Sequence, residues 1–311
     1  MTTSGSVDFS VTRANLIQLA YQHIGVLGEG ESPSTNQTTE AALLLNMIVK
    51  HRETDGMPLW ALKRGYCLPT ADVSSQDMYS SGGNITDSYV STTTSAAAIS
   101  GASSIVVTSA TGIAASYYIG VLLDGGDMQW TTVNGALSGT TVTLTATLTG
   151  AVASGNRVYA YQTKSNEALK ITDAWLLYTT GSTRVPMQID SRSEYFSLGN
   201  LTSEGTPNRI YYDRQLTLGT LYFYPRFQGG DNVIEFSYHR PYEDFDATGD
   251  TPDFPQEYYL SIMLELAFFL GPKAGLDLNE RKLLLAESKI YRDEALGFGG
   301  DGGSMYITPR Q

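Results

Sequence analysis

Apolar residues recur at helical spacing in two segments near the start of the chain. In the first, apolar residues such as Ile17 and Ala20 lie three or four positions apart, behind Ser10 or Thr12 as a cap. The second segment covers residues 35–56 and ends at a glycine, a common helix terminator. We predict a helical hairpin that must pack on another part of the chain. The predicted apolar side of its second helix consists of Leu43, Leu44, Met47 and Ile48.

Between residues 82 and 164 the pattern changes to short β-type runs separated by glycine-containing turns. Examples are the runs Tyr118–Leu123 and Arg157–Tyr161. Small and hydroxylated residues dominate this block, which has only five charged residues. Closely spaced short strands with glycine turns predict a small antiparallel barrel or sandwich. The polar, glycine-rich flanks of the block indicate an insertion at the tip of a loop.

The rest of the chain predicts a second β region followed by two helices. Residues 165–254 contain short β-type runs with many aromatic side chains. One helix is predicted from Pro255, a favoured first-turn residue, and another ends near residue 296. Residues 297–311 are glycine-rich and then become β-prone. We interpret them as a flexible docking tail.

These patterns predict an α+β fold. In this prediction the N- and C-terminal helix pairs form one helical bundle, accompanied by an aromatic antiparallel β domain with a small all-β barrel or sandwich inserted in it. The predicted boundaries are 1–81 for the N-terminal helical hairpin and a strand, 82–164 for the inserted β-domain, 165–254 for the antiparallel β domain, 255–296 for the C-terminal helices that complete the bundle, and 297–311 for the docking tail.

Composition narrows the classes of function. The 311 residues include 20 basic and 32 acidic side chains, and this net charge of −12 argues against a broad basic surface for nucleic acid. No apolar run reaches the roughly 18 residues that span a bilayer. The first residues lack the basic and apolar regions of a secretory signal, so we expect neither a membrane segment nor a leader.

The sequence contains no motif typical of a catalytic or cofactor site. The nucleophile elbow, the HExxH zinc motif, the P-loop and the dinucleotide fingerprint are missing. The one cysteine, Cys67, has no histidine near it in sequence and is interpreted as a buried structural residue. We therefore predict a protein that is not an enzyme and has no cofactor.

An acidic loop provides one weak candidate for a metal site. Asp244, Asp246 and Asp250 lie in a segment that resembles the first half of a calcium-binding loop. Pro255 stands where the bidentate glutamate of such a loop belongs, and a polar linker before a helix explains the same acids.

Tyrosine is unusually abundant, with 20 residues. Its side chain offers a large amphipathic contact area at low conformational cost, which suits protein interfaces, although packing within a sheet explains many of these residues equally well. The candidates for a subunit or tail interface are Tyr195, Tyr211, Tyr212, Tyr222, Tyr224 and Tyr242.

Several motifs follow one another in an order that is informative as a whole. They are VPMQIDSRSEYFSLGN at 185–200, EGTPNRIYYD at 204–213, LYFYPRF at 221–227, IEFSYHRPYEDFD at 234–246 and the helix-forming stretch at 251–276. A helical hairpin followed by Trp60 precedes them. This order covers about residues 10–70 and 165–296, and it resembles the head-to-tail adaptor family of tailed bacteriophages. That family includes the tail accessory factors and the tail tubular A proteins of short-tailed phages.

The resemblance implies a virion structural protein at the head–tail junction, assembled in the host cytoplasm. Copies of the chain, usually twelve, would form a ring between the portal protein and the tail nozzle or tube protein. Double-stranded DNA would pass through this ring without specific binding. The residues that would dock on the portal are Met305, Tyr306, Ile307, Thr308 and Pro309.

The inserted block departs from the shorter members of that family, and three roles are open for it: decoration of the outer rim, contact with tail fibres, or bracing of neighbouring subunits. Two alternatives to the adaptor also stay open. One is a carbohydrate-active or cell-wall-degrading tail protein, which requires a cleft with two acids. The other is another tail tube or nozzle component, although such proteins are normally larger or more purely β.

Overall fold

A computed structural model of the protein describes residues 5–56, 58–79, 82–178, 183–216 and 218–299. These residues form a mixed α+β fold with five α-helices and several antiparallel sheets, so the predicted α+β class is confirmed. The chain divides into two compact units. Met1–Ala61 and Tyr242–Gln311 make up the first, here called the helical unit, and Leu62–Pro241 make up the second, the β unit. The predicted boundaries near residues 82 and 164 lie inside the β unit.

Side-chain caps define where three of the four long helices begin. The Thr12 hydroxyl accepts the Asn15 N–H, and capping boxes at Ser34 and Asp277 start the second and the last helix. Gly275, with a φ of 79°, ends the fourth helix in the left-handed conformation. The helices are α1 Arg13–His23, α2 Thr35–Arg52, α3 Arg192–Phe196, α4 Tyr259–Ala274 and α5 Leu278–Phe298; short 3₁₀ turns occur at Leu59–Ala61 and Gln256–Tyr258.

The two ends of the chain share one apolar core in the helical unit. Buried side chains of α1 and α2, among them Ile17 and Leu45, lie in the same cluster as Ile262 of α4 and Leu284 of α5. Trp60 stacks on Tyr242 with ring centroids 5.0 Å apart at the edge of this cluster. A hairpin that is too small to bury its own apolar side therefore packs on helices from the other end of the sequence. No described helix is long and apolar enough to cross a membrane.

The β unit contains short strands throughout. From Leu62 to Tyr161 they are β1 Leu62–Cys67, β2 Ser75–Asp77, β3 Ile85–Thr86, β4 Val90–Thr93, β5 Ser104–Val106, β6 Tyr118–Leu122, β7 Met128–Thr132, β8 Thr141–Thr143 and β9 Arg157–Tyr161. The remaining strands are β10 Lys170–Tyr178, β11 Thr183–Pro186, β12 Gln188–Ile189, β13 Glu204–Gly205, β14 Arg209–Arg214, β15 Gly219–Tyr224, β16 Arg226–Phe227 and β17 Asn232–His239.

Two sheets are built mainly from the strands that follow residue 165. One has the order β11-β10-β17-β1-β3 and is antiparallel throughout; β1 pairs with β17 along its whole length, from Leu62 opposite His239 to Cys67 opposite Ile234. The other has the order β12-β14-β15-β2, in which only the short β12–β14 contact is parallel. A further parallel pair joins β13 to β16. Both larger sheets contain strands from before and after the predicted insert.

The insert contains a four-stranded sheet, β4-β9-β6-β7, and a two-stranded one, β5-β8. Ile105 and Val142 of the smaller sheet share a core with Ile119 and Val158 of the larger one. None of the sheets formed by the described residues closes into a barrel. Of the two architectures predicted for the insert, the barrel is therefore wrong.

The insert packs closely on the rest of the β unit. Tyr159 and Tyr161 of β9 are buried in one cluster with Leu68 and Val233. The Tyr159 hydroxyl donates to the Gly230 carbonyl oxygen at 2.6 Å. The Trp130 indole N–H donates to the Pro69 carbonyl oxygen at 2.9 Å. Because these aromatic side chains satisfy buried carbonyl groups outside the insert, the insert contributes to the core of the unit.

Candidate functional site

An apolar groove lies between α2 and α4 on the surface of the helical unit. It encloses about 280 Å³ and has little polar lining. Concave apolar surfaces of this kind are typical of binding sites. Its lining residues are Leu44, Met47, Ile48, His51, Glu265 and Phe269.

α2 turns a different face to the core from the one its sequence predicts. Part of its predicted apolar side therefore stays at the surface, beside the groove. The structure leaves Leu43 and Met47 exposed, at 61% and 60% of their surface, whereas Ile48 is buried as predicted. The side chains that face the core are spaced at i, i+4, i+7, i+8 and i+11, which is one side of an α-helix. They are Ala41, Leu45, Ile48, Val49 and Arg52.

A buried ion-pair network fixes α2 against its neighbours. The Arg52 side chain is 3% exposed; its guanidinium donates to Asp55 at 3.1 Å and also to Glu265 of α4. Arg292 of α5 pairs with the other oxygen of Asp55 at 3.5 Å. Since an unpaired charge is costly to bury, this network favours one arrangement of α2, α4 and α5.

A second apolar surface covers the outer face of α5. Leu283 and Ile290 are exposed at 60% and 56% of their surface, and exposed Ala286 lies between them. The buried residues of α5, which include Leu284 and Ser288, occupy the opposite side of the helix. The helical unit therefore has two apolar surfaces on different helices.

The predicted interface tyrosines of the β unit belong mostly to one aromatic cluster. Tyr195, on the short helix α3, is fully buried; its hydroxyl donates to the Phe223 carbonyl oxygen at 3.1 Å, and burial raises its pKa to about 12. Tyr211 and Tyr222 stack across β14 and β15 with centroids 5.7 Å apart. The neighbouring Phe196 ring is 46% exposed. Phe196 was not among the sequence candidates, yet it is the ring of this cluster that solvent reaches most.

The other three tyrosine candidates differ in exposure. Tyr212 is half-buried, and its hydroxyl donates to the Ala168 carbonyl oxygen at 2.7 Å. Tyr224 is half-buried at the end of β15. Tyr242 is buried against Trp60 in the helical unit. Tyr195, Tyr211 and Tyr242 are therefore buried residues, and a partner has no direct access to them in this conformation.

The acidic loop is organised by contacts within the protein. Asp244 pairs with Lys50 at 2.9 Å. The Asp250 carboxylate accepts the backbone N–H groups of Asp246 and Ala247, as in a local turn. Within the described ranges, no three His, Cys, Asp or Glu side chains are grouped so that they could hold a metal ion.

The cysteine and the buried histidine do not form a catalytic pair. Cys67 is fully buried, and burial raises the pKa of its thiol, so the thiolate needed for nucleophilic chemistry is disfavoured. Burial, with a contribution from Lys170, lowers the pKa of His239. His239 lies opposite Leu62, five strand residues from Cys67, which separates the two by about 17 Å.

The five residues predicted to dock on the portal, Met305, Tyr306, Ile307, Thr308 and Pro309, lie outside the described residues. Comparison with known proteins adds no assignment: no protein-family profile matches the chain, and no characterised protein is significantly similar to it in sequence.

Proposed function

We propose that the protein is a virion structural protein of a tailed bacteriophage. It is a subunit of the head-to-tail adaptor ring that joins the portal to the tail nozzle or tube and forms part of the DNA channel. The proposal combines the motif order described above with one structural observation, the two separate apolar surfaces of the helical unit. Its site of action is the head–tail junction of the virion, after assembly in the host cytoplasm.

The distribution of exposed apolar side chains carries the proposal. Among the described residues, thirteen of the nineteen large apolar side chains that are exposed belong to the helical unit, although the β unit is larger. Extensive exposed apolar surface marks sites of protein association. A closed ring repeats one heterologous interface, so that each subunit needs two different complementary faces. The α2–α4 groove and the outer face of α5 are two such faces.

The remaining features support the same assignment. The shared core of α1, α2, α4 and α5 suits the helical bundle that the family resemblance implies at the portal. The exposed Phe196 and the half-buried Tyr222 beside it suit a protein contact on the tail side. The net charge of −12 repels DNA, which favours passage without binding.

Electron microscopy of the full-length protein tests this function. We expect negative-stain images of the protein mixed with the portal protein of the same phage to show rings stacked on the portal. Subunits that stay monomeric and fail to bind the portal would overturn the proposal. Turnover of polysaccharide or peptidoglycan by the pure protein would favour the degrading-enzyme alternative, and tubes formed without the portal would favour a tail-tube component.

The docking tail has a separate test. Truncation after Gly299 keeps α5 intact and removes residues 300–311. We expect weaker attachment to the portal in a pull-down assay, with an unchanged far-UV circular dichroism spectrum. Full attachment of the truncated protein would refute the docking role.

A further inference from the structure

We infer that copies of this chain join head to tail, with the outer face of α5 of one copy seated in the α2–α4 groove of the next. The inference rests on the proposed function, because it names the interface from which the ring is built. The occupant of the groove is a second copy of this chain, and the two faces match in shape, spacing and charge.

The apolar parts of the two faces are complementary in shape. Leu283 and Ile290 project from α5 two turns apart, about 10 Å along the helix. Ala286 between them is small, which allows a second helix to approach closely. The groove is concave between Met47 of α2 and Phe269 of α4. A ridge of two aliphatic side chains flanking a small residue fits a groove of this form.

The polar groups at the two ends match as well. On α2, Glu40 and His51 are eleven positions apart and flank the exposed Met47. On α5, Lys282 and Asp293 are also eleven positions apart and flank Ile290. Eleven residues are about three turns, or 16 Å, so each pair lies on one side of its helix. Parallel packing places Lys282 opposite Glu40 and Asp293 opposite His51.

The charges also select the direction of the contact. An antiparallel arrangement would bring the Asp293 carboxylate towards the Glu40 carboxylate, which is like charge against like, and would take Lys282 away from Glu40. Glu40 already pairs with Lys273 of its own chain, so it accepts Lys282 at the edge of an existing ion pair. Electrostatic complementarity of this kind fixes the register of an interface more than its affinity.

A contact of about three helical turns is smaller than the roughly 800 Å² per partner of a typical stable interface. A single pair of copies is therefore expected to associate weakly. Closure of the ring, or a portal that holds several copies together, raises the effective concentration of each further contact. This interface thus favours assembly on the portal over assembly in free solution.

Cysteine cross-linking tests the pairing directly. Met47→Cys and Ile290→Cys place one thiol on each face, and the native Cys67 is buried. The two variants are mixed and treated with a short bismaleimide, with and without portal rings. We expect a cross-linked dimer that contains one copy of each variant, and little product from either variant alone. The control replaces Ile290→Cys by Ile99→Cys, whose side chain is 78% exposed in the β unit.

The expected yield of the mixed dimer exceeds that of the control mixture by about ten-fold or more, because the docked thiols react at a high effective concentration. Product from Met47→Cys alone would indicate a twofold contact and would overturn the inference. No excess over the control, while rings are visible on the portal, would overturn it as well and leave the proposed function standing. Loss of portal binding but not of rings in the Met47→Cys variant would make the portal the occupant.

Charge reversal provides an independent test that does not depend on cross-linker geometry. Lys282→Glu and Glu40→Lys each place like charges across the interface. We expect each variant to lower the fraction of the protein that sediments as rings. The double variant restores opposite charges between neighbouring copies and is expected to recover assembly. Equal defects in the single and double variants would contradict the pairing of these two residues.

Discussion

Replacing Arg52 by methionine tests the buried network that holds the helical unit together. The methionine keeps most of the side-chain volume but leaves the Asp55 and Glu265 carboxylates, whose side chains are only 14% and 12% exposed, without this partner. Breaking a buried pair by removing one member typically costs about 3–5 kcal/mol. That is a large part of the roughly 5–15 kcal/mol by which most domains are stable.

Urea unfolding followed by far-UV circular dichroism measures the change, since the four long helices all lie in the helical unit. We expect the midpoint of the helical transition to fall sharply for Arg52→Met. The double variant with Glu265→Met should be more stable than Arg52→Met alone, because one of the unpaired charges is removed. Lys273→Met is the matched control, as its ion pair with Glu40 is exposed and its loss should cost about 0.5 kcal/mol or less. A cost below about 1 kcal/mol for Arg52→Met would refute the view that this network is desolvated.

Two further predictions concern the β unit. Trp130→Phe removes the N–H that donates to the Pro69 carbonyl oxygen. Because that oxygen is left unsatisfied, we expect the free energy of unfolding to fall by about 1–3 kcal/mol, measured as reduced hydrogen-exchange protection around β1 and β9. Unchanged protection would mean that the insert is held without this bond. Burial raises the pKa of Tyr195 from 10.0 to about 12, so its stabilising contribution is complete below pH 10 and is lost as the pH rises towards 12. Tyr195→Phe should therefore lose less stability between pH 10 and 12 than the wild type, and an equal loss would contradict the burial of this hydroxyl.

Local sequence signals predicted the helices well because caps and glycine stops act over a few residues. Thr12 caps α1, as one of the two predicted caps, whereas α2 ends at Arg52, four residues before the predicted glycine stop. The outward face of α2 could not be predicted from the sequence, because Leu43, Leu44 and Leu45 are consecutive and cannot all lie on one side of a helix. The packed arrangement buries Leu45 and leaves Leu43 exposed.

Long-range partners decide which of these faces is buried. Arg52 reads as a surface residue at the end of a basic stretch, and only the distant Glu265 makes its burial favourable. An excess of leucines beyond what one helix face accommodates was the available signal for the α2–α4 groove. The same holds for α5, in which Leu283 and Leu284 are adjacent and only Leu284 is buried.

The tyrosine-rich segments show a similar limit. In β15 the alternation of strand side chains buries Leu221 and Phe223 and leaves Tyr222 and Tyr224 half-buried, as a strand with one core face predicts. Tyr195 departs from its polar surroundings because α3 turns it under the sheet, where the Phe223 carbonyl accepts its hydroxyl. Residue type alone does not distinguish such a core tyrosine from one at an interface.

The requirement for two different faces is tested most directly by blocking them one at a time. One variant carries Met47→Asp and Phe269→Asp on the two sides of the α2–α4 groove, and the other carries Leu283→Asp and Ile290→Asp in α5. We expect each to stay monomeric by native mass spectrometry under conditions in which the unmodified chain forms rings. Mixed together at high protein concentration and fixed with a chemical cross-linker that traps the weak single contact, they should give a dimer of one copy of each, which uses the one remaining intact interface and grows no further. Rings formed by either variant, or the absence of any dimer in the mixture, would contradict head-to-tail assembly through these surfaces.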